Sequence, residues 1–167
     1  MTTEKELIDF YNLSEHPEGG FYKQVYRSEG EISEKNLSKE FNGNRNFATS
    51  IYFLLTSKKF SAFHKINQDE IWHFYLGSPL KIHMISPEGI YKNVIVGSDF
   101  KSNNHFQYTV PAQYYFAAEV LDANSYSFVG CSVSPGFDFR DFQLPNCKDL
   151  CNEFPEYLKI IERLTHH

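Results

Sequence analysis

The sequence predicts an all-β domain, built as a sandwich or barrel of antiparallel strands with a short helix at each end. Aromatic residues make up 17% of the 167 residues, and they cluster with β-branched residues in short runs, which favours strands. These runs follow one another closely with Gly, Pro and Asn between them, which is typical of a sandwich or barrel. No helical pattern of crossover length separates them, which argues against a parallel α/β sheet.

The N-terminal helix is predicted from Thr3-x-x-Glu6, which has the form of a capping box, and from Leu7, Phe10 and Tyr11 on one helical face. A turn with the sequence His-Pro-Glu-Gly-Gly follows at residues 16–20. Strands are then expected over residues 21–27, 48–55, 60–66, 70–76, 80–85, 91–96, 106–110, 114–121 and 125–133.

Residues 28–46 are polar and show no clean strand pattern, and we interpret them as a mobile excursion with room for one helical turn around 37–41. A closing helix is indicated by Pro155 at a first-turn position and by a stripe of leucines and isoleucine after it. We expect a single domain, residues 1–167, with a barrel core over about 16–142 and a C-terminal helical segment over about 147–165.

Charge and composition exclude several classes of protein. The 16 Lys and Arg against 21 Asp and Glu give a net charge of −5, so no basic field is available for nucleic acid. The longest apolar stretches, such as Ile51 to Leu55, are far shorter than the roughly 20 residues of a membrane span. The N-terminus is acidic where a signal peptide is basic and apolar. We predict a cytoplasmic protein that binds neither nucleic acid nor membrane.

The cysteines predict neither a disulfide framework nor a structural zinc site. There are three of them, Cys131, Cys147 and Cys151, and no two form a CxxC pair. Cys147 and Cys151 fall one helical turn apart. We interpret them as small buried residues in a reducing compartment.

The segment His64–Gly77 contains the main candidate functional residues. Alternation places His64 and Ile66 on one face of their strand. The same rule places four residues together on the next strand: Glu70, Trp72, Phe74 and Leu76. If that strand turns back beside the first, His64 and Glu70 share an interior lined by Trp72 and Phe74. A buried His and carboxylate are costly unless they are paired, so the two form either a satisfied structural pair or a functional one.

This segment resembles a known family. His64-x-Ile66-x3-Glu70-x6-Gly77 resembles the first cupin motif, H-x-H-x3-E-x6-G, with Ile66 in place of the second His. Six segments resemble more specifically a cupin branch known only as a domain of unknown function: residues 16–20, 50–55, 69–74, 110–112, 116–120 and 129–139. The resemblance implies a double-stranded β-helix, the cupin jelly-roll barrel, with a small-molecule cavity and a homodimeric state. The superfamily includes dTDP-sugar epimerases and seed storage globulins.

The resemblance implies a metal site that this chain does not complete. Cupin metal sites use three His and one Glu, of which His64 and Glu70 match, while Ile66 and Phe116 stand where two of the His are expected. Two ligands are fewer than the three of typical catalytic zinc or iron sites, and apolar neighbours raise the cost of a divalent ion. We predict no bound metal and no cofactor.

Three residues are candidates for catalysis. His64 is a candidate general base or ligand-orienting donor, and Glu70 is the acid group that would orient it. Tyr52 is a candidate general acid that would protonate an enolate opposite the base. The alternatives stay open: a core His bonded to Glu70, a buried carboxylate that accepts backbone N–H groups, and a core Tyr.

Five residues are candidates for ligand binding. Trp72 and Phe74 would form a stacking wall for a flat or sugar-like ligand, or serve packing alone; Phe116 would lie beside them. The resemblance suggests Arg27 as a rim cation for a carboxylate or phosphate, with an exposed salt bridge as the alternative. Lys65 stands where the family usually has Arg and retains a point charge.

The remaining histidines are expected away from the site. Alternation directs His73 to the other side of the sheet from His64, which suits an interface or a helix-covered position. His16, His83 and His105 have no supporting partners in the sequence, and we expect them on the surface.

The leading hypothesis is a cupin that binds a small polar, carbohydrate-like metabolite, such as a sugar or sugar nucleotide, in its barrel. If it is an enzyme, metal-independent isomerisation or epimerisation with His64 as base fits best. One alternative is a non-catalytic ligand-binding or storage-type dimer. Another is a metal-dependent cupin whose missing ligands come from substrate or water.

Overall fold

Two antiparallel sheets face each other in the computed structural model, which describes residues 2–166. The strands are β1 (Ser14–Glu15), β2 (Phe21–Arg27), β3 (Glu31–Ile32), β4 (Arg45–Asn46), β5 (Thr49–Thr56), β6 (Ser61–His64), β7 (Asp69–Gly77), β8 (Leu80–Ile85), β9 (Tyr91–Val96), β10 (Gln107–Val110), β11 (Tyr115–Val120) and β12 (Tyr126–Ser134). The helices are α1 (Glu4–Tyr11), α2 (Cys147–Glu153) and α3 (Leu158–Arg163). Short 3₁₀ turns lie at Glu34–Asn36, Phe100–Ser102, Phe139–Asp141 and Pro155–Tyr157.

The larger sheet has the strand order β1-β2-β5-β12-β7-β10, and the smaller sheet has the order β6-β11-β8-β9. All their pairings are antiparallel. Because β6 and β7 join different sheets, the chain crosses from one layer to the other between them. The predicted all-β class is therefore confirmed, and the architecture is that of a jelly roll with short terminal helices.

The main core lies between the two sheets. It is built from large side chains on both inner faces, among them Phe53, Trp72, Ile82 and Phe116. Trp72 is fully buried, and its indole N–H has no hydrogen-bond partner among residues 2–166. Trp72 and Phe53 pack edge to face, with ring centroids 5.7 Å apart, in the geometry that aromatic pairs prefer.

The N-terminal helix covers one end of the larger sheet's outer face. The predicted capping box is present, since Thr3 N donates to Glu6 Oε2 at 2.7 Å and Glu6 N donates to Thr3 Oγ1 at 3.3 Å. Leu7 is the residue of α1 that is buried, against Leu54 and Phe128. Phe10 was expected on the same face but is 79% exposed.

The C-terminal helices cover the outer face of the smaller sheet. Leu150 on α2 and Ile161 on α3 are completely buried against Phe63 and Ile85. Pro155 begins a 3₁₀ turn rather than the closing helix itself. No helix among residues 2–166 is long and apolar enough to cross a membrane.

The polar excursion at residues 28–46 is tied to the barrel by one buried ion pair. Arg45 is 2% exposed, and its Nε and Nη2 donate to the two carboxylate oxygens of Asp141 at 2.7 and 2.6 Å. Gln68 donates to the same carboxylate at 2.7 Å. The helical turn of this segment lies at Glu34–Asn36, not around residues 37–41 as predicted. The interpretation of residues 28–46 as mobile did not take account of Arg45. Its charge is tolerated in the interior because it forms an ion pair with the Asp141 carboxylate.

A β-bulge changes the predicted alternation on β7. The register between β12 and β7 shifts between Phe128 and Val129, so Tyr75 has no partner opposite it. Beyond the bulge, Leu76 packs with the outer-face cluster around Leu54. The prediction that Leu76 shares a face with Trp72 was therefore wrong, because one extra residue in a strand reverses the side on which the following residues lie.

Candidate functional site

A cavity of about 450 Å³ lies against the inner face of the larger sheet. Pairing of β2, β5, β12 and β7 sets four residues in one row: Arg27, Thr49, Val133 and Glu70. Residues directly opposite each other in antiparallel strands share a face, and this whole row lines the cavity. The other lining residues are His16, Glu18, Tyr22, Gln24, Ile51, Phe53, His64, Ile66, Cys131, Phe137, Asp138, Phe139 and Phe142.

His64 is paired with Glu18 in this cavity. His64 Nδ1 lies 2.8 Å from the carbonyl oxygen of Ala62, and Nε2 lies 3.3 Å from Glu18 Oε2. A carbonyl oxygen only accepts, so Nδ1 carries a hydrogen. Nε2 faces a carboxylate oxygen, which also only accepts when ionised, so the contact is favourable when Nε2 is protonated too. Ser61 Oγ donates to Glu18 Oε1 at 2.8 Å and completes the carboxylate's surroundings.

The charges in this cluster follow from burial and pairing. Burial opposes ionisation of Glu18, but the charges of His64 and His16, with hydrogen bonds from His16 and Ser61, outweigh it and lower its pKa to about 2. Burial also lowers the pKa of His64, against the opposing effect of the Glu18 charge. Glu18 is therefore a buried carboxylate that stays ionised at neutral pH.

His16 lies on the other side of the same carboxylate. Its Nδ1 is 3.2 Å from Glu18 Oε2 and 3.3 Å from the Glu18 amide nitrogen. The ring is held among aromatic neighbours, with the Tyr22 centroid at 4.6 Å and the Phe142 centroid at 5.7 Å. No hydrogen bond to His16 Nε2 is present among residues 2–166, so this nitrogen is available to a molecule in the cavity. The expectation of a surface His16 was wrong.

The turn at residues 16–20 brings His16 and Glu18 inward. Gly19 has φ +111°, and a Cβ at this position would collide with the carbonyl oxygen of Phe60. Glycine alone tolerates this conformation and this close approach. Ala62 N donates a hydrogen bond to the carbonyl oxygen of Glu18 at 2.8 Å and fixes the backbone at this position. This turn therefore contains a buried acid, Glu18, that the sequence analysis did not identify. The turn is nevertheless one of the segments that carry the family resemblance.

Glu70 provides a second carboxyl group in a different state. It lies on β7, 9% exposed, next to Cys131 in the cavity wall. Burial, and then the charge of Glu18, raise its pKa to about 8, against a smaller opposing effect of a hydrogen bond with Cys131. At neutral pH Glu70 is largely a neutral acid and can donate a proton.

The two predicted catalytic partners share the cavity but not an ion pair. His64 and Glu70 both line it, as the alternation predicted. Among residues 2–166, the carboxylate that lies within 4 Å of the His64 ring is that of Glu18, not that of Glu70. The predicted orienting pair was wrong because β6 and β7 belong to different sheets, so alternation within each strand could not tell which acid reaches the imidazole.

Arg27 lies at the rim of the cavity, where it was expected. Its Nε and Nη2 donate to Gln24 Oε1 at 3.0 and 2.8 Å. Nη1 donates to Asn46 Oδ1 at 2.7 Å, and Nη2 donates to the Phe137 carbonyl oxygen at 3.1 Å. Four of the five guanidinium hydrogens are therefore used. Arg27 joins three rim segments and has little donor capacity left for an anion.

The expected aromatic wall is built from other rings. Trp72 and Phe74 belong to the core between the sheets and are not among the residues that line the cavity. Phe116 is buried too, and its ring lies 4.1 Å from the His64 ring, which it supports by packing. The rings that line the cavity come from three other parts of the chain: Tyr22, Phe53, Phe137, Phe139 and Phe142.

Tyr52 and Lys65 lie outside the cavity. Ile51 and Phe53 line it, so Tyr52 between them faces the opposite side, where its ring packs 4.6 Å from Tyr11 and 5.2 Å from Phe128. Lys65 follows His64 and turns away likewise, with Nζ 4.5 Å from the ring of Tyr115. The proposed general acid and the second cation were therefore placed on the wrong face, because alternation separates neighbours in a strand.

The other histidines lie apart from this cluster. His73 is on the outer face of the larger sheet, with Nε2 3.1 Å from Ser132 Oγ. His83 is buried, not on the surface, with Nδ1 2.7 Å from Tyr91 Oη and Nε2 2.9 Å from Glu119 Oε1. His105 is exposed, as expected.

The residues around His64 do not fit a cupin metal ion. Ile66 lines the cavity where the motif has a second His, and Phe116 packs on the imidazole where the other His is expected. Both side chains offer carbon in place of a donor atom. Within residues 2–166 no group of three or more His, Cys, Asp or Glu has a metal-binding arrangement. The available donors fall short of the usual catalytic sets, so no chemical step is assigned to a metal.

Comparison with known proteins identifies the same fold over nearly the whole chain. The structure resembles the crystal structure of protein SO0799 from Shewanella oneidensis with a TM-score of 0.90 and 36% identity, covering 99% of both chains. It resembles a hypothetical protein from Leishmania major with a TM-score of 0.89 and 32% identity, covering 99% of this chain and 100% of that one.

The sequence relationships agree with the structural ones. An uncharacterised protein of Saccharomyces cerevisiae, YML079W, is 31% identical over an alignment of 146 positions, and the alignment covers 82% of this chain and 72% of the yeast protein. Residues 5–145 match the family described as "Cupin superfamily (DUF985)". The chain therefore belongs to this family of the cupin superfamily.

Proposed function

We propose that this cupin binds a small polar, carbohydrate-like metabolite in its cavity and moves a proton on it without a metal ion, as an isomerase or epimerase does. The observation that carries the proposal is the arrangement of Glu18 between two imidazoles, 3.3 Å from His64 Nε2 and 3.2 Å from His16 Nδ1. A carboxylate so placed stabilises the imidazolium that forms when a histidine accepts a proton.

The cavity supplies both a base and an acid. In the tautomer whose Nδ1–H donates to Glu18 Oε2, His16 Nε2 has a free lone pair and no protein partner among the described residues, and it removes the proton from a carbon next to the substrate carbonyl. The C–H electron pair becomes the C=C bond of an enediol as Glu70 gives its proton to the carbonyl oxygen. In epimerisation the same carbonyl re-forms, so Glu70 regains that proton and His16 returns its own to either face of the carbon. In isomerisation the carbonyl forms at the neighbouring hydroxyl, so Glu70 takes the proton of that hydroxyl and His16 delivers its own to the former carbonyl carbon. No atom or electron is left over.

His64 has a different place in this scheme than the sequence indicated. Both of its nitrogens are engaged, one by the Ala62 carbonyl oxygen and the other by Glu18. His64 is therefore better placed to orient Glu18 and stabilise its negative charge than to reach a substrate. His64 as the base is the alternative assignment, and it requires Nε2 to leave Glu18.

The size and lining of the cavity favour a single sugar ring. Ligand sites are commonly about 300–1,000 Å³, and at about 450 Å³ this one is near the small end. Rings of Phe137, Phe139 and Phe142 provide flat apolar surface for the C–H face of a sugar, while Glu18 and Glu70 supply polar contacts.

Deuterium exchange tests the proposal. The protein is incubated in D₂O with a panel of aldoses, ketoses and keto-sugars, and loss of the signal of the proton next to the carbonyl is followed by NMR. We expect exchange with at least one compound, reduced at least about 100-fold in His16→Asn and Glu18→Gln, with His73→Asn on the outer face as the unaffected control. If exchange survives in His16→Asn and is lost only in His64→Asn, His64 is the base.

A binding protein without turnover is the second candidate. Hydrogen bonds within the protein favour this candidate, because they already hold Arg27 at the rim and His64 in the cavity. The cavity is therefore rigid and preformed. Such a protein shows ligand-dependent thermal stabilisation with the same panel but no exchange of carbon-bound protons. That result overturns the catalytic proposal and leaves the ligand-binding one in place.

A further inference from the structure

We propose that Cys147 and Cys151 form a two-thiolate site for a soft monovalent cation of the Cu(I) class, on the opposite side of the smaller sheet from the cavity. Their sulfur atoms are 3.8 Å apart on successive turns of α2. Both thiols are free and partly exposed, so an ion reaches them from solvent. The proposal is independent of the function proposed for the cavity.

The spacing is held by the rest of the structure. Leu150 lies between the two cysteines in sequence and is completely buried, anchoring α2 to the outer face of the smaller sheet. Asn146 caps the helix, since its Oδ1 accepts from Asp149 N at 2.9 Å. Cys147 and Cys151 pack at the margin of the same cluster. The pair is thus a preformed feature of a fixed helix.

The helix favours a bridging ion over a disulfide. Cβ atoms four residues apart on a helix are about 5–6 Å apart, whereas a disulfide needs about 3.5–4.5 Å. Direct S–S bonding would therefore distort α2. A zinc–thiolate bond is about 2.3 Å long, and a linear S–metal–S unit with bonds of that length spans about 4.6 Å. The sulfurs then need to separate by only about 0.8 Å from their 3.8 Å spacing, which side-chain rotation supplies.

The number of donors selects the kind of ion. Zinc requires four ligands in structural sites and three in catalytic ones, and no third His, Cys, Asp or Glu completes such a group in residues 2–166. Thiolates prefer soft ions, and Cu(I) accepts two-coordinate geometry. Binding replaces the two S–H protons: Cu⁺ and two R–SH give [Cu(SR)₂]⁻ and two H⁺, with no change of oxidation state.

Competition with a chromophoric Cu(I) chelator tests this site. The reduced protein is titrated without oxygen into the Cu(I)–bicinchoninate complex, and the loss of its colour reports Cu(I) captured by the protein. We expect one Cu(I) per chain for the wild type and at least a tenfold weaker capture for Cys147→Ser and for Cys151→Ser. Cys131→Ser is the matched control, because it also leaves two thiols but keeps the pair on α2, and it should capture copper as the wild type does.

Three outcomes overturn the proposal: no capture by the wild type, undiminished capture by Cys151→Ser, or equal losses in all three variants. Thermal unfolding of each variant is measured alongside, and Cys147→Ala and Cys151→Ala replace any serine variant that does not fold. Oxidation to an intramolecular disulfide, seen by mass spectrometry, together with no uptake of Cu(I), also overturns it.

Discussion

His64 Nε2 lies 3.3 Å from Glu18 Oε2, a pairing between a strand of the smaller sheet and a turn that precedes the first long strand of the larger one. His16 contacts the same carboxylate oxygen at 3.2 Å. Two of the acids that line the cavity are therefore in opposite states: Glu18 is held ionised beside two imidazoles, and Glu70 is held neutral by burial. Opposite states of two nearby carboxyl groups are a common feature of acid–base sites.

We expect Glu18→Gln to remove a part of the acid sensitivity of the fold. The pKa of Glu18 is lowered to about 2, so its stabilising contribution is fully present above its unfolded pKa near 4.5 and is lost as the pH falls towards 2. The variant should be less stable by about 1–3 kcal/mol at pH 7 and equal to the wild type near pH 2. Urea denaturation across pH 2–7 measures this, with exposed Glu15→Gln as control; parallel curves for Glu18→Gln and wild type contradict it.

The opposite pH dependence is expected for Glu70. Its pKa is raised to about 8, so the folded state binds a proton that the unfolded state has lost, and stability falls as the pH rises from about 4.5 to 8. Glu70→Gln keeps the neutral shape and should be more stable than the wild type by roughly 1–3 kcal/mol at pH 8. The two proteins should converge near pH 4.5. Chemical denaturation at these two pH values checks both points, and a Glu70→Gln variant that is less stable at pH 8 would contradict the raised pKa.

Breaking the buried pair of Arg45 and Asp141 is expected to release the excursion at residues 28–46. Asp141→Asn leaves the guanidinium buried without its countercharge, which costs about 3–5 kcal/mol. Hydrogen exchange of amides in β3 and β4 should increase at the same time. The exposed pair of Lys59 and Glu15, joined at 2.7 Å, is the matched control, since Lys59→Ala should cost less than about 1 kcal/mol. Equal costs for the two variants would show that the buried pair has no special role.

We also expect a homodimer formed through the outer face of the larger sheet. Tyr26 and Tyr75 on that face are 55% and 47% exposed. Small residues lie beside both of them, with Ser50 opposite Tyr26 and Gly130 beneath the Tyr75 ring. Charges placed there should repel a second copy. Light scattering with size-exclusion chromatography should give a dimer for the wild type and a monomer for the Tyr26→Glu, Tyr75→Glu double variant. Phe100→Glu, at a residue 67% exposed elsewhere, should remain dimeric; a monomeric wild type ends this expectation.

Local patterns in the sequence predicted the elements well and the site only in part. Three predicted features depend only on neighbours within a few residues, and the structure has them. They are the capping box of Thr3 and Glu6, the succession of strands along the chain, and the inward direction of His64 and Glu70. The same alternation, applied to Ile51 and Phe53, would have directed Tyr52 away from the cavity. Glu18 was missed because a turn sequence gives no periodic signal from which burial can be inferred.

By itself the sequence determined the all-β class, the membership of the cupin superfamily and the presence of His64 and Glu70 on inward faces, because backbone periodicity and motif spacing are properties of consecutive residues. Only the tertiary structure decided that Glu18 and not Glu70 pairs with His64, that Tyr75 interrupts β7 with a bulge and that Arg45 holds the polar excursion. Contacts between sheets depend on which strands become neighbours, and the spacing of residues along one strand carries no information about the strand that faces it.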